Sequence, residues 1–219
     1  MAITWQTPGA ALVSAASATS IAPAYPAGCV EGDKLLLVVG QRPSTVNSGS
    51  VSTPSGWNLV ASKLASGGYG TTFAADTANT NLYVFERTVP AGGLSGTLTV
   101  SVSTNNVCWA QILRLTTSNG SWNSVAGTTG EDVTGGTAVS IACASNPGVT
   151  AGDAILTAMC IPTDAHTGFS GYGATQAGVT FGTWTQRGYV DSGTGNDIGG
   201  FVASSTVSPA CSSSSRIRA

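Results

Sequence analysis

The chain contains a single histidine, His166, in the run Asp164-Ala165-His166-Thr167-Gly168. General acid–base catalysis draws on histidine or on carboxylates of shifted pKa held in a cleft. A hydrolase would set His166 beside a carboxylate and a serine nucleophile. The neighbouring Gly168-Phe169-Ser170-Gly171 lacks the Gly-x-Ser-x-Gly spacing that lifts a nucleophilic serine onto a strand-to-helix elbow, so His166 reads as a solvated loop residue. Carboxylates are scattered singly apart from Glu131-Asp132. The run Asp191-Ser192-Gly193-Thr194-Gly195-Asn196-Asp197 comes nearest to a calcium loop, but the alternating ligands closed by a glutamate are missing, and it reads as a hairpin tip. No catalytic, cofactor-binding or metal-ligating residue is expected, and the chain reads as a non-enzyme.

The five cysteines, Cys29, Cys108, Cys143, Cys160 and Cys211, lack the CxxC pairing of zinc and thioredoxin-type sites. An odd count leaves at least one thiol without a partner in its own chain. Two readings stand: buried thiols acting as small hydrophobes, and disulfides within or between chains. Trp57, Trp122, Trp184, Tyr69 and Tyr172 lie beside Gly-rich turns, a setting in which aromatic rings can form a sugar-binding platform. Trp57 and Trp184 read more simply as core anchors. Tyr69, in Gly67-Gly68-Tyr69-Gly70, and Tyr172, in Gly171-Tyr172-Gly173, are the candidates for exposed contact residues.

The elements that must position these residues are strands. Leu94 to Val102 alternates apolar or Gly with hydroxyl residues at period two, the pattern of a strand with one buried and one wet face. Val107 to Leu113 and Ile155 to Cys160 are nearly continuous apolar runs of strand length, as expected of strands covered on both faces. Between such runs stand 29 Gly and 9 Pro, with turn signatures at Pro54-Ser55-Gly56 and Asn146-Pro147-Gly148. Ala10 to Ile21 is the one stretch that could hold a helix; its Val, Thr and Ser content favours strand and turn.

A repeat organises these strands. Ser20-Ile21-Ala22, Gly28 and Gly32-Asp33 recur 120 positions later as Ser140-Ile141-Ala142, Gly148 and Gly152-Asp153. Each copy then enters an apolar run. Gly56-Trp57 is echoed by Thr183-Trp184, Leu82 to Phe85 by Ile198 to Val202, and the tail from Leu94 to Thr99 by Ser212 to Ile217. Asp33 and Asp153 precede equivalent strands, where a carboxylate can accept hydrogen bonds from loop amides. Many short strands with closely spaced turns predict an all-β, jelly-roll-like antiparallel sandwich. Residues 1–219 read as one domain, repeat one covering about 1–118 and repeat two about 119–219, since no linker separates Leu115 from Trp122.

The composition sets limits on function. Hydrophobic residues make up 42% of the chain and charged residues 8%, against about 25% charged in an average globular domain. Net charge is -2 and mean hydropathy +0.20, which excludes the disordered class. Eight basic residues without a cluster lack the electrostatic footprint of nucleic-acid binding. The longest apolar run, Leu35 to Val39, is far short of the ~20 residues that cross a bilayer. The start has no basic segment followed by an apolar one, so no secretory leader is expected. Such low charge suits a rigid protein whose surface is partly covered by neighbours.

Three segments occur in an order that carries a resemblance: Gly32-Asp33 leading Lys34 to Val39, then Thr53-Pro54-Ser55-Gly56-Trp57, then Leu82-Tyr83-Val84-Phe85-Glu86-Arg87. The series resembles structural proteins of tailed bacteriophages, in which a GD-led apolar strand, a PSGW turn and an aromatic strand follow one another. The resemblance covers roughly residues 20 to 115, and the second half only through the repeat. It implies a non-enzymatic virion component, foremost a decoration or accessory protein on the capsid surface, with the major capsid protein or neck and tail proteins as partners and self-association into a homo-oligomer. The alternative it leaves is a collar, tail or fibre protein that binds a receptor or glycan. A virion is assembled in the host cytoplasm and acts outside it, which fits the absent leader. Its cysteines could then oxidise after lysis.

Overall fold

The computed structural model describes residues 3–15, 17–43, 48–64, 71–73, 76–78, 80–103, 105–118, 120–122, 125–131, 141, 148–162, 171–192 and 198–208. Among them there is no helix. The strands are β1 (Ile3–Trp5), β2 (Leu12–Val13), β3 (Ser20–Ile21), β4 (Lys34–Pro43), β5 (Asn58–Lys63), β6 (Thr71–Phe73), β7 (Asp76–Ala78), β8 (Asn81–Thr88), β9 (Val100–Ser101), β10 (Asn105–Thr117), β11 (Ala154–Ile161), β12 (Thr185–Asp191) and β13 (Gly199–Thr206). All their pairings are antiparallel. The chain is an all-β protein of packed antiparallel sheets. Ala10 to Ile21 forms β2, a turn and β3, as its composition favours.

The largest sheet runs β1-β10-β4-β8-β5, with β2 also on β10. Its central strands β4 and β10 carry long apolar runs, Leu35 to Val39 and Val107 to Ala110 with Ile112 and Leu113, because both faces are covered. Leu35, Leu37 and Val39 point into one core with Phe85, Tyr83, Cys108, Ala110, Ile112, Trp57 and Val100. Leu36 and Val38 point the other way, into a second core with Trp109, Leu113 and Leu115. The first core is closed by the β3-β9 pair and the segments around it. The second is closed by a sheet of order β11-β13-β12, which contributes Val190, Ile198 and Val202. At about 1.5–3 kcal/mol per fully buried large apolar side chain, these two cores hold the layers together.

Trp109 sets the spacing between the sheets. Its indole is 1% exposed and lies between Gly40 of β4 and Gly200 of β13; a Cβ built on either glycine would fall inside the ring's contact distance. Gln111, two residues along β10, is also buried. Its Nε2 donates to the carbonyl of Gly9 (3.0 Å) and to that of Arg187 (2.9 Å). The side chain thereby ties the N-terminal segment and β12 to the central strand.

Two expectations change in detail. Leu94, Leu98, Val100 and Val102 face inward while Ser95, Thr97, Thr99 and Ser101 are exposed, so the alternation holds. The ladder is nevertheless broken into β9 and single bridges from Leu94 to Cys29, from Thr97 to Ala24 and from Val102 to Val51, with Gly96 at φ +77° in its middle. The apolar run of β11 is half-buried rather than covered on both faces, because β11 is an edge strand and β13 holds the centre of its sheet.

The two larger sheets have features in common. The order β4-β8-β5 matches β11-β13-β12, and the third strand of each carries a bulge against its neighbour, between Leu59 and Ala61 and between Gln186 and Gly188. The turns into β4 and β11 are alike as well. The amide of Val30 donates to Asp33 Oδ2 (3.0 Å) and that of Thr150 to Asp153 Oδ2 (2.7 Å), with Gly32 at φ +88° and Gly152 at +91°. Elsewhere they diverge. Ile21 is 4% exposed and Ile141 39%, and the turn with a left-handed Gly56 before Trp57 has its geometric counterpart at Gly178, several residues ahead of Trp184.

Candidate functional surface

Three of the five cysteines lie among the described residues, and Cys29, Cys108 and Cys160 are thiols, not disulfides. Cys29 is buried in the first core, where its Sγ donates to the carbonyl of Pro26 (3.1 Å) and burial raises its pKa. Cys108 is fully buried on β10. Cys160 sits half-buried at the end of β11 beside the second core, where burial pushes its thiol up to about 12, the neighbouring Trp109 and Thr80 opposing part of the rise. A thiol is nucleophilic as its thiolate, so Cys29 and Cys160 are held in their unreactive form at neutral pH. Cys143 and Cys211 lie outside the described residues, as do His166 and Tyr69.

The two aspartates of the GD turns are not equivalent in chemistry. Asp33 is buried and ion-paired with Arg114, Nε to Oδ2 2.7 Å, and the same guanidinium donates through Nη1 to the carbonyl of Ala27 (2.9 Å). The Trp122 indole N–H closes the turn from outside on the carbonyl of Gly32 (2.7 Å). Asp153 holds its turn through the amide and hydroxyl of Thr150. Beside the first turn, Lys34 Nζ bonds Glu86 Oε2 (2.7 Å) and Thr88 Oγ1 (3.0 Å). Lys63 pairs with Glu131 at 3.2 Å. These groups tie turns and strands together, and among the described residues no cluster of three His, Cys, Asp or Glu side chains could hold a metal ion.

The aromatic candidates separate. Trp57 is 4% exposed and belongs to the first core, as a core anchor should. Trp184 is half-buried and tilts against Phe181, ring centroids 5.7 Å apart. Tyr172 is half-buried, its ring 4.9 Å from that of Phe201 on the face of β13 turned away from the second core. The sequence places Trp109 and Gln111 on a covered strand without showing the contacts they make, and carries no sign of the Asp33–Arg114 pair. The signal for Trp109 was a large ring on a central strand in a chain with glycines inside two apolar strands.

The surface is poor in charge. Of the few charged side chains, Asp33, Arg114, Lys34, Glu86, Lys63 and Glu131 are spent on one another, and Arg42 is buried. Leu12, Val30, Leu59, Leu64 and Ile141 stand exposed between 39% and 56%, Leu59 on β5 and Leu64 just beyond it. No helix is long and apolar enough to cross a membrane among the described residues. Comparison of the chain with protein-family models, with curated proteins and with solved structures gave no match.

Proposed function

We propose that the chain is a non-enzymatic structural component of a tailed-phage virion, a decoration or accessory protein that docks on the capsid surface. The observation that carries the reading is the charge-poor surface, in which most ion pairs face inward and apolar side chains stand out singly among hydroxyl and glycine residues. Such a surface loses little on being covered, since few charges need to be stripped of water. The GD, PSGW and aromatic-strand series adds the phage resemblance. The common strand order and the paired Asp turns support reading the second half as a repeat of the first. Added to capsids that lack it, the purified chain should co-sediment with an affinity that changes less than about threefold between 50 and 500 mM salt, because surface ion pairs are what salt screens. Absence of co-sedimentation, or release by salt, would contradict it.

A fibre-like protein that binds glycans is the second reading. Tyr172 and Trp184, half-buried beside Gly171 and Gly173, favour it, since aromatic faces with one side open suit a sugar ring. A glycan array without hits would remove it.

A further inference from the structure

A sheet edge presents a row of backbone N–H and C=O groups that can pair with another chain, and proteins blunt such edges with shortness, bulges, charges or cover. Three of the four edges of the two larger sheets are blunted. At one edge, β1 has three residues and β2 two. At the next, β5 is bulged, carries Lys63 in an ion pair with Glu131, and has Gly127 packed against Ala61. The third, β12, is bulged and carries Arg187 and Asp191. The fourth, β11, is different: Ala-Ile-Leu-Thr-Ala-Met-Cys-Ile runs eight residues without charge, Pro or Gly, in unbroken register with β13.

In an antiparallel ladder successive residues bond to opposite sides. Ile155, Thr157, Met159 and Ile161 bond to β13, and Ala154, Leu156, Ala158 and Cys160 aim their backbone groups outward. The carbonyl of Cys160 shows the direction, since it accepts the Thr80 hydroxyl at 3.1 Å from outside the sheet. On the matching edge of β4 lies the long strand β10. Among the described residues no strand pairs with that edge of β11.

We propose that β11 is the edge through which the chain pairs with a second copy of itself, β11 against β11, about a twofold axis through Thr157. An antiparallel strand pair is self-complementary under a twofold, as closed dimers require. In this register Ile155 faces Met159 of the second copy, Leu156 faces Ala158 and Thr157 faces itself, and the pairing stops short of Cys160, whose outward carbonyl Thr80 already holds. No charge meets a like charge, and the outward N–H and C=O groups of Leu156 and Ala158 bond across the axis. The two β11-β13-β12 sheets become one continuous sheet. Growth stops at the dimer, because the outer edge is then β12 with its bulge and charges.

The test uses the full purified chain in light scattering coupled to size exclusion between about 1 and 100 µM, where mass action moves a dimer of ordinary affinity. A mass approaching twice 21.7 kDa is expected, with the Leu156 and Ala158 amides protected from hydrogen exchange at high concentration. Thr157→Lys sets like charges directly opposite and should weaken the dimer at least about tenfold with the circular dichroism unchanged. Thr157→Cys should give a disulfide-linked dimer on oxidation, with one bond between the substituted positions. A wild-type chain that stays monomeric throughout overturns the proposal. So does a dimer that Thr157→Cys does not lock, whether or not Thr157→Lys folds.

Discussion

Gly200→Ala tests the way the two sheets meet. A methyl on Gly200 points at the Trp109 indole, and three ring atoms would lie closer than real Cβ contacts allow. Backbone strands flank the ring on both sides, with Gly40 against its other face, so it has nowhere to retreat. Overpacking of this kind costs about 1–3 kcal/mol, partly offset by the ~0.4–1 kcal/mol gained from a less flexible unfolded chain. The net loss is about 1 to 2 kcal/mol. For a domain of this size that lowers Tm by about 2–8 °C. Urea unfolding followed by tryptophan fluorescence measures it as a lower midpoint at unchanged slope. Trp109→Phe in the same chain makes room for the methyl, so the double variant should lose about 1 kcal/mol less than the sum of the single ones. Gly173→Ala is the control: its nearest neighbour, Trp184 Nε1, lies at an ordinary 3.5 Å, and the change should stay within about 0.5 kcal/mol. A Gly200→Ala midpoint at or above the wild-type value would refute the packing of the second sheet on Trp109.

Three further outcomes follow from the buried groups. Asp33→Asn strands the Arg114 guanidinium and should cost about 3 kcal/mol or more, whereas Asp153→Asn, in the same turn without an arginine, should cost about 1 kcal/mol; urea midpoints compare the two. The Cys160 thiol ionises near 9.0 when unfolded and at about 12 when folded, so the folded state holds its proton longer. Stability is then unaffected below about pH 9 and falls as pH rises above it, by up to about 1.4 kcal/mol per unit. Cys160→Ala should remove part of that slope between pH 9 and 11, the raised Cys29 leaving a remainder in the same window and the raised Tyr83 and Tyr189 one at its alkaline end. Alkylation of the native chain followed by mass spectrometry should leave Cys29 and Cys108 unmodified until denaturant is added, since both are buried.

Much of the fold is legible because strand cores write themselves into local pattern. The continuous apolar runs of β4 and β10 announce strands covered on both faces, and the Gly-Asp turns announce where β4 and β11 begin. What the pattern does not carry is which strands become edges. The β11 run is as apolar as that of β10, yet β10 is flanked by β4 on one side and by β1 and β2 on the other, the latter separated from it by about a hundred residues of chain. Non-local pairing of that kind leaves no trace in a local window. The same holds for the site residues. Arg114 finds Asp33, and Gln111 finds Gly9 and Arg187, only once the ladder aligns them. Tyr172 sits in a Gly-flanked turn that reads as exposed, but the turn folds back so that its ring rests on Phe201.

The most direct test of the proposed virion role is a cryo-EM map of intact particles of a tailed phage whose genome carries this sequence. Density matching the two packed sheets is expected at regular positions on the capsid surface, resting on the major capsid protein. A particle whose capsid, neck and tail densities leave no place for this fold, and whose peptides by mass spectrometry do not include the chain, would contradict it.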